Sequence, residues 1–375
     1  MQKIQMVDLV SQHEKISAEI QEAINQVIQE ASFINGPAVK EFAGELGEWL
    51  GGAHVVPCAN GTDALQVALM ALELEPGDEV ILPVFTFIAT AEVVSLLGLV
   101  PVFVDVDPDT FNMPVEAVEN AITSRTRAII PVHLFGQCVE MHRLVPLAKK
   151  YNLRIVEDTA QALGSRCTNH TGKMQFAGTH GDIACTSFFP SKNLGCLGDG
   201  GAIFTTKPHL SEISKVIVNH GSHKKYFHER VGVNSRLDTL QAAVLRIKLK
   251  HLKAYNQLRQ EAANYYDQAL ASISGIKIPF RSPYSEHIFH QYTLRVENER
   301  TRDSLRDHLN VARIPNMIYY PVPLHLQQAY AHRGYEEGTF PVAESLAKCV
   351  LSLPIHTELS QAQLAYITQH IKSFF

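Results

Sequence analysis

The sequence has few of the features that mark disulfide-stabilised or metal-binding proteins. Its 375 residues include only six cysteines, which are scattered and form no CxxC pair, and this favours free cytosolic thiols. His220, His223 and His228 lie close together, but their loose spacing does not match zinc-ligand geometry and favours a solvated loop. We therefore expect neither a disulfide framework nor a bound metal.

Charge and hydropathy argue against two further classes. The formal net charge is −5, whereas proteins that bind nucleic acid through phosphate contacts usually carry a basic face. The most apolar stretch, 80–104, is interrupted by Pro83, Glu92 and Pro101, so it predicts a strand, a helix and a strand rather than a membrane span. The N-terminal segment lacks the apolar run of a signal peptide. We expect a cytoplasmic protein that binds neither nucleic acid nor membranes.

From residue 54 onward, short apolar runs alternate with helical patterns. The predicted strands are 54–58, 79–82, 100–104, 128–132 and 154–157, and the predicted helices between them are 62–72, 88–97, 115–121 and 141–151. Repeated strand–helix–strand units predict an α/β domain with a mostly parallel sheet. The runs at 182–188 and 201–205 have no long helix between them and predict an antiparallel end of that sheet.

After a long helical pattern at 239–272, the regular alternation of strands and helices ends. The later elements are a strand at 290–296 and helices at 301–308 and 362–374. We place a domain boundary inside the long helix, near Leu252. The prediction is a large α/β domain of residues 1–251 and a smaller α+β domain of residues 252–375.

In open α/β sheets, ligands bind beyond the carboxyl ends of the strands, so the residues that follow each strand are candidates for a binding site. After the first strand, Gly61 permits a tight turn, and Thr62 and Asp63 begin a helix. The free N–H groups and positive dipole end of a helix N-terminus suit a phosphate. The alternative is an ordinary capped helix start, because Thr and Asp are good N-caps.

Three further residues follow later strands. Phe87 is a flat ring that could stack on a flat cofactor, although packing in the core is the simpler explanation. Asp158 could hold a protonated pyridine nitrogen, the partner that lets pyridoxal phosphate accept electrons, or it could cap a turn. Gln161 could donate to a phenolic oxygen of the same cofactor, or it could be an ordinary turn residue.

Lys192 lies between a short strand and a glycine-dense loop. Most lysines are solvated surface charges, but Pro190 and the glycines allow a close approach of the backbone here. A lysine that reacts with a cofactor aldehyde must be held away from water with a lowered pKa. Ser187 could bind a phosphate together with the helix that begins at Thr62. The loop is not a dinucleotide fingerprint, because it does not join the first strand and helix of a βαβ unit.

The order of these elements along the chain resembles that of the fold-type-I pyridoxal-phosphate enzymes. More closely, the chain is similar to the DegT/StrS family of sugar aminotransferases. The segments that carry the resemblance are ANGTDAL at 59–65, FTFIATAEVV at 85–94, PVHLFGQ at 131–137, EDTAQALG at 157–164, SFFPSKNLGCLGDGGAI at 187–203, GVNSRLDTLQAAVL at 232–245 and YPVPLHLQ at 320–327.

The resemblance implies pyridoxal 5′-phosphate as the cofactor. It implies that Lys192 is the Schiff-base lysine, which also moves protons, and that Asp158 pairs with the pyridine nitrogen. The other implied cofactor contacts are Gln161 at the phenolic oxygen, Phe87 on the ring face, and Gly61, Thr62, Asp63 and Ser187 around the phosphate.

The resemblance also implies contacts beyond the cofactor. Asn234 matches a family residue that reaches a phosphate across a dimer interface, so a homodimer with shared active sites is implied. The residues expected to line the nucleotide-sugar pocket are Arg236, Tyr319, Tyr320 and His325. The implied reactants are L-glutamate and a nucleotide-linked keto sugar, for the synthesis of a cell-surface polysaccharide such as O-antigen.

The resemblance also implies a particular class of sugar substrate. The phrases ACTSFFPSKNLGC and RVGVNSRLDTLQAA are similar to the subgroup that aminates UDP-linked N-acetyl-3-oxo-glucuronate. That subgroup tends to carry a His-Tyr pair where this chain has Tyr319 and Tyr320, so a 4-keto-6-deoxy nucleotide sugar is an alternative. Related sugar dehydratases replace the Schiff-base lysine with histidine, and a catalytically silent binding or regulatory protein would be expected to lose Lys192 or Asp158. Both residues are present.

Overall fold

Twelve α-helices and twelve strands lie in residues 3–375, the part of the chain that the computed structural model describes. The helices are α1 (Leu9–Glu14), α2 (Ser17–Glu30), α3 (Pro37–Trp49), α4 (Gly61–Ala71), α5 (Ala89–Leu96), α6 (Val115–Asn120), α7 (Met141–Lys150), α8 (Pro208–Val218), α9 (Thr239–Leu270), α10 (Glu299–Val311), α11 (Pro341–Cys349) and α12 (Gln361–Phe374). The strands are β1 (His54–Cys58), β2 (Glu79–Pro83), β3 (Val100–Val104), β4 (Thr126–Ile129), β5 (Arg154–Asp158), β6 (Arg166–Thr168), β7 (Met174–Phe176), β8 (Ile183–Ser187), β9 (Gly201–Thr205), β10 (Ile276–Lys277), β11 (Tyr292–Val296) and β12 (Val350–Leu353).

Seven of the strands form one large sheet in the order β1-β9-β8-β5-β4-β2-β3. The five strands from β8 to β3 are parallel to their neighbours, whereas β9 is antiparallel to both β8 and β1. Consequently β1 runs in the same direction as β8, and its carboxyl end reaches the same edge of the sheet. The predicted α/β class with a mostly parallel sheet is confirmed.

Strand β2 shows why the central strands are continuously apolar. Its alternate residues belong to two different cores: Val80 and Leu82 pack with α4 and α5, and Ile81 packs with α6 and α7. Because side chains alternate between the two faces of a strand, helices on both sides of the sheet require apolar residues at successive positions.

The residues after α9 build a second, three-stranded antiparallel sheet in the order β10-β11-β12. This sheet shares a core with α10, α12 and the last part of α9, including Tyr266 and Leu270. The first part of α9 packs instead in the core that contains α3, through Leu245 and Leu249. The exact boundary between residues 1–251 and 252–375 stays a prediction.

Some predicted elements have different bounds in the structure. The strand predicted at 128–132 is β4, Thr126–Ile129, and Val132 keeps only an isolated bridge to Asp158. Pro131 has no N–H to donate to a ladder, which explains the early end of the strand. The helix predicted at 301–308 is the longer α10, whose N-cap Asn298 accepts a hydrogen bond from the amide of Thr301. The short strands β6, β7 and β12 were not predicted, because three or four residues show little periodicity.

None of the helices in residues 3–375 is long and apolar enough to cross a membrane. The cytoplasmic location stays a prediction.

Glu157 on β5 is a buried carboxylate that ties the large sheet to the turn at 178–181. Its oxygens accept hydrogen bonds from the amides of Gly178 (2.8 Å), His180 (2.8 Å) and Gly181 (2.6 Å), and one oxygen lies 3.0 Å from the His133 ring. Burial opposes ionisation, but the hydrogen bond from His133, the neighbouring histidine charges and the Gly181 amide outweigh it and lower the pKa of Glu157 to about 2. The carboxylate is therefore ionised and fully bonded at neutral pH.

Replacing Glu157 with Gln should destabilise the fold by about 3–5 kcal/mol at pH 7, because one partner of a buried charged network is lost. Urea unfolding measures this difference. Since the folded pKa of Glu157 lies below the unfolded value of about 4.3, its contribution is present at neutral pH and fades as the pH falls from about 4.3 toward the folded pKa. Glu212→Gln, in an exposed pair with Lys215, is the control and should change stability by less than about 1 kcal/mol. Equal stability of the two variants would contradict this account.

Candidate active site

One cavity of about 880 Å³ lies where the carboxyl ends of β1, β2, β5 and β8 meet the small domain. Parallel strands bring their carboxyl ends to one edge, which is why residues far apart in the chain share this cavity. The residues expected from the sequence that line it are Gly61, Thr62, Asp63, Phe87, Asp158, Gln161, Ser187, Lys192, Tyr319 and Tyr320.

The first wall of the cavity is the start of α4. Asn60 caps this helix, and its side chain accepts the amide of Asp63 at 2.8 Å. The amides of Gly61 and Thr62 are the first two of the helix and have no acceptor within it. A Cβ on Gly61 would lie 2.6 Å from Cβ of Ser187, so only glycine lets the helix begin this close to the end of β8. Free amides, a positive helix end and the Ser187 hydroxyl together fit a phosphate group.

Asp63 fits a phosphate less well than its neighbours. Its amide is already used by Asn60, and its side chain is acidic. It lines the cavity, but its proposed phosphate contact has no free donor to support it.

Asp158 is the last residue of β5 and is buried at the floor of the cavity. Thr90 on α5 donates to one carboxylate oxygen at 3.1 Å, and the amide of Ala160 donates to the other at 3.1 Å. Burial raises the pKa of Asp158, and these two donors and the charge of Lys192 oppose that rise. A carboxylate held in one orientation with little water is suited to pair with a cationic ring nitrogen.

Gln161 has a fixed orientation. Its carbonyl oxygen accepts the amide of Phe135 at 2.8 Å, so its amide nitrogen points the other way and donates to the Tyr320 hydroxyl at 3.0 Å. An amide nitrogen carries two hydrogens, and one remains for a ligand in the cavity. Burial raises the pKa of Tyr320, so its hydroxyl stays neutral. This arrangement fits the donor role predicted for Gln161.

Lys192 follows β8 in a tight turn, in which its amide donates to the carbonyl of Phe189 at 2.8 Å. Burial lowers the pKa of Lys192 to about 8, although the negative charge of Asp158 opposes this. A substantial fraction of neutral amine is therefore available near neutral pH, and a neutral amine can attack a carbonyl.

Two aromatic side chains complete the cavity. Phe87 is 55% exposed and lines the cavity, so it is not a core residue in this chain. Its ring lies 6.4 Å from the Tyr320 ring at an angle of 40°. Tyr319 is half-buried beside it, and burial raises the pKa of its hydroxyl. Phe87 thus offers the exposed flat face that the stacking hypothesis requires.

Three predicted residues do not line the cavity. The ring of His325 is buried against Glu344 (3.0 Å) and Phe340, away from the cavity, so the chain does not offer it to a sugar. Asn234 is exposed and forms a bridge with Asn219, and Arg236 is partly buried. A contact of Asn234 with a second chain stays a prediction.

Sequence reasoning missed several residues of the cavity. Thr90 fixes Asp158, and its position one helical turn after Phe87 was a signal that could have found it. His290 and Gln291 also line the cavity, but they come from the small domain. Their place depends on how that domain packs against the sheet edge, which no local pattern reveals.

Comparisons with known proteins agree with this geometry. The model of the DegT/DnrJ/EryC1/StrS aminotransferase family matches residues 14–372. The chain is 44% identical to the UDP-2-acetamido-2-deoxy-3-oxo-D-glucuronate aminotransferase of Pseudomonas aeruginosa, covering 97% of this chain and 98% of that protein. It is 42% identical to a dTDP-3-amino-3,4,6-trideoxy-alpha-D-glucose transaminase of Streptomyces venezuelae (99% and 96% covered). It is also 42% identical to a pleiotropic regulatory protein of Geobacillus stearothermophilus (99% and 98% covered).

Solved structures of aminotransferases also superpose on this chain. S. venezuelae DesV, in complex with a ketimine intermediate, superposes with a TM-score of 0.96 at 41% identity, covering 100% of this chain and 99% of that one. The PLP form of the putative sugar aminotransferase Spr1654 from Streptococcus pneumoniae superposes with a TM-score of 0.87 at 28% identity, covering 96% of each chain. The fold-type-I architecture predicted from the sequence is therefore confirmed.

The amine of Lys192 should be unusually reactive. In the chain without cofactor, about half of it is neutral at pH 8, whereas an ordinary lysine with a pKa of about 10.4 is less than about 1% neutral. Acylation followed across pH by peptide mass spectrometry should give a midpoint near 8 for Lys192 and a far higher one for Lys150, whose pKa is raised by its bond to Glu119.

Asp158→Asn should move the Lys192 midpoint to lower pH, because a negative charge that favours the ammonium is removed. Asp303→Asn, which removes an exposed carboxylate on α10, should leave it unchanged. A Lys192 midpoint near 10 would contradict the account of this site.

Proposed function

The chain belongs to the DegT/DnrJ/EryC1/StrS aminotransferase family, and on that premise we propose that it moves an amino group from L-glutamate to the keto group of a nucleotide-linked sugar. It is a sugar aminotransferase, and its cofactor is pyridoxal 5′-phosphate. The observation that supports the proposed site most strongly is the shared cavity in which Lys192, Asp158 and the start of α4 face one another.

The residues of this cavity suit each part of the cofactor. Gly61, Thr62 and Ser187 would hold its phosphate, Asp158 its ring nitrogen and Gln161 its phenolic oxygen, with Phe87 on the ring face. When bound, the cofactor supplies an electron sink for the negative charge that develops at the carbon losing its proton.

Lys192 has two tasks in this proposal. Its neutral amine would hold the cofactor through the carbonyl carbon, with loss of water, and the lowered pKa favours that neutral form. Its Nζ would also accept a proton from the carbon of the amino donor and later return a proton to the carbon of the sugar. Asp158 would keep the ring nitrogen of the cofactor protonated, and the hydrogen bonds from Thr90 and Ala160 keep the Asp158 oxygens in place.

The proposed sugar is UDP-linked N-acetyl-3-oxo-glucuronate or a related keto sugar. The similar Pseudomonas protein named for that substrate supports this choice, and the Streptomyces relative named for a dTDP sugar keeps a 4-keto-6-deoxy nucleotide sugar as the alternative. Tyr319 lines the cavity and stands where the UDP subgroup tends to have histidine. A role in cell-surface polysaccharide synthesis, O-antigen included, follows from such a product.

A homodimer is part of the same proposal. Tyr226, Phe227 and Val231 are strongly exposed apolar side chains that precede Asn234 in the chain. Clustered exposed apolar residues often mark a protein interface. Burial of this segment against a second copy would bring Asn234 near the partner's cavity, as the resemblance implies.

A catalytically silent regulatory protein is the alternative of another class, and the Geobacillus relative bears a regulatory name. Such a protein would have no need for a lysine of lowered pKa beside a buried aspartate. Lys192 and Asp158 line one cavity in this chain, which favours the enzyme.

An absorbance spectrum tests the proposed activity. The protein loaded with pyridoxal phosphate should absorb in the visible range, and addition of L-glutamate should bleach this band as the amino group is transferred. Lys192→Ala should slow the bleaching at least about a hundredfold, because proton transfer by a positioned group contributes about 10²–10⁴ in rate. Lys215→Ala, on the exposed face of α8, is the matched control. A colourless protein that takes up no added cofactor would favour the silent alternative.

A substrate panel tests the proposed sugar. The loaded protein, after treatment with glutamate, should aminate the UDP-linked 3-oxo sugar faster than a dTDP-linked 4-keto-6-deoxy sugar. Tyr319→His should change kcat/KM for the preferred sugar by roughly three- to tenfold, the effect of one hydrogen bond, and leave the reaction with glutamate nearly unchanged. Preference for the 4-keto sugar would overturn the substrate proposal while leaving the aminotransferase intact.

A further inference from the structure

Gln291 is a small-domain residue that lines the cavity and has no role in the proposal so far. It lies directly before β11 and is 9% exposed. Its backbone amide donates to the carbonyl of Phe135 at 3.3 Å, but its side-chain amide has no hydrogen-bond partner within residues 3–375. A buried side chain therefore keeps both a donor and an acceptor unused.

This free amide is unusual among the buried asparagine and glutamine side chains of the chain. Eight such side chains are buried within residues 3–375, and Gln291 is one of them. The other seven each make a side-chain hydrogen bond inside the protein: Gln12, Asn112, Gln137, Gln161, Asn193, Asn256 and Gln363. Because a buried amide without a partner is costly, an unpaired one at a cavity points to a ligand.

The amide of Gln291 is open to the cavity and is not sealed in the core. Across the described part of the chain, neither its oxygen nor its nitrogen is among the fully enclosed polar atoms that lack a partner. The small exposed surface of Gln291 therefore includes both atoms, and the residue lines the cavity. A ligand in the cavity can reach the donor and the acceptor together.

Contacts on both sides fix the backbone that carries this side chain. The carbonyl of Phe135 accepts the Gln291 amide, and the amide of Phe135 donates to Oε1 of Gln161 at 2.8 Å. Nδ1 of the preceding residue, His290, lies 3.3 Å from Oδ1 of Asn193, which follows Lys192. Residues 290 and 291 are thus tied both to the lysine turn and to the group that holds Gln161.

The cofactor does not need this amide. In the proposed function its phosphate, ring nitrogen and phenolic oxygen have the start of α4, Asp158 and Gln161 as partners, so the substrate is left for Gln291. A carboxamide donates through nitrogen and accepts through oxygen, and it complements a ligand group that does both. The carboxylates of glutamate only accept, and they would leave Oε1 of Gln291 unpaired.

We propose that Gln291 determines specificity for the sugar by exchanging two hydrogen bonds with an acetamido group next to the keto carbon. The inference rests on the proposed function, in which the sugar carries its acetamido group at carbon 2 and its keto group at carbon 3. Nε2 of Gln291 donates to the acetamido carbonyl, and Oε1 accepts the acetamido N–H. A hydroxyl at carbon 2 has a single oxygen and cannot meet both atoms in good geometry.

The binding of two nucleotide sugars tests this proposal without catalysis. UDP-N-acetylglucosamine and UDP-glucose differ only in the acetamido group and the hydroxyl at carbon 2. In calorimetric titrations of the protein loaded with pyridoxal phosphate, the first should bind about tenfold more tightly, the effect of one or two hydrogen bonds. Gln291→Met, similar in length but without a strong donor or acceptor, should bring the ratio close to one. Gln257→Met, on the exposed face of α9, is the control and should keep the preference.

Kinetics and stability separate a specificity role from a structural one. Gln291→Met should lower kcat/KM for the UDP-linked 3-oxo N-acetyl sugar about tenfold, mainly through a higher KM, and leave bleaching by glutamate unchanged. Its urea midpoint should stay near that of the parent protein, because no hydrogen bond within the chain is lost. Gln137→Met, which removes the acceptor of the Ser282 amide, should lower the midpoint.

Each outcome supports or overturns the inference. Equal affinity of the parent protein for the two nucleotide sugars, or an unchanged affinity ratio in Gln291→Met, would overturn it. A loss confined to the reaction with glutamate would also overturn it, because the amide would then serve the amino donor. If Gln291→Met fails to fold, Gln291→Glu decides, since its carboxylate cannot donate and should lose the preference. If glutamate does not bleach the loaded protein but the preference still depends on Gln291, the proposed function fails and the role of Gln291 stands.

Discussion

Parallel pairing of β5 with β8 is the constraint on which the site depends. Asp158 ends the first strand and pairs in register with Cys185, two residues before Ser187 ends the second. The two carboxyl ends therefore reach the same edge of the sheet side by side, and the turn after Ser187 carries Lys192 toward Asp158. The close approach of Gly61 to Ser187 then brings the start of α4 to the same place. Without this alignment, the acid, the amine and the helix start would lie on separate surfaces.

Burial shifts the pKa values of Asp158 and Lys192 in opposite directions, and the charge of each residue partly offsets the shift of the other. Removal of water raises the pKa of Asp158 and lowers the pKa of Lys192, while the charge of each group favours the charged form of its neighbour. Hydrogen bonds from Thr90 and Ala160 support the carboxylate, and the side-chain amide of Asn193, next to Lys192, donates to Oδ1 of Asn256 at 2.7 Å and so supports the lysine turn. Behind the sheet, Glu157 holds the adjoining turn with three backbone amides, so the residue next to Asp158 is rigid as well.

The parts of the site that follow strand ends could be predicted from the sequence, because position at a strand end is a local property. Lys192, Asp158, Ser187 and the start of α4 were found in this way, and the resemblance to a family supplied their expected roles. His325 lies outside the cavity of this chain, since a motif gives a segment but not the direction of each side chain; its ring bonds Glu344.

The residues that sequence reasoning missed depend on packing between distant elements. His290 reaches the cavity only because the small domain closes on the sheet edge, where its Nδ1 lies 3.3 Å from Oδ1 of Asn193. The early end of β4 likewise depends on Pro131 and the bridge of Val132 to Asp158, not on hydropathy. Local patterns predict which strand ends meet, and tertiary contacts decide which side chains fill the space between them.

The central claim is that Lys192 is the amine that holds the cofactor. Borohydride reduction of the protein loaded with pyridoxal phosphate, followed by proteolysis and mass spectrometry, tests it most directly, because reduction fixes the cofactor to the amine that carries it. The account predicts one modified peptide, with the added mass on Lys192. Modification of another lysine in its place, or no modification of a loaded protein, would contradict the account.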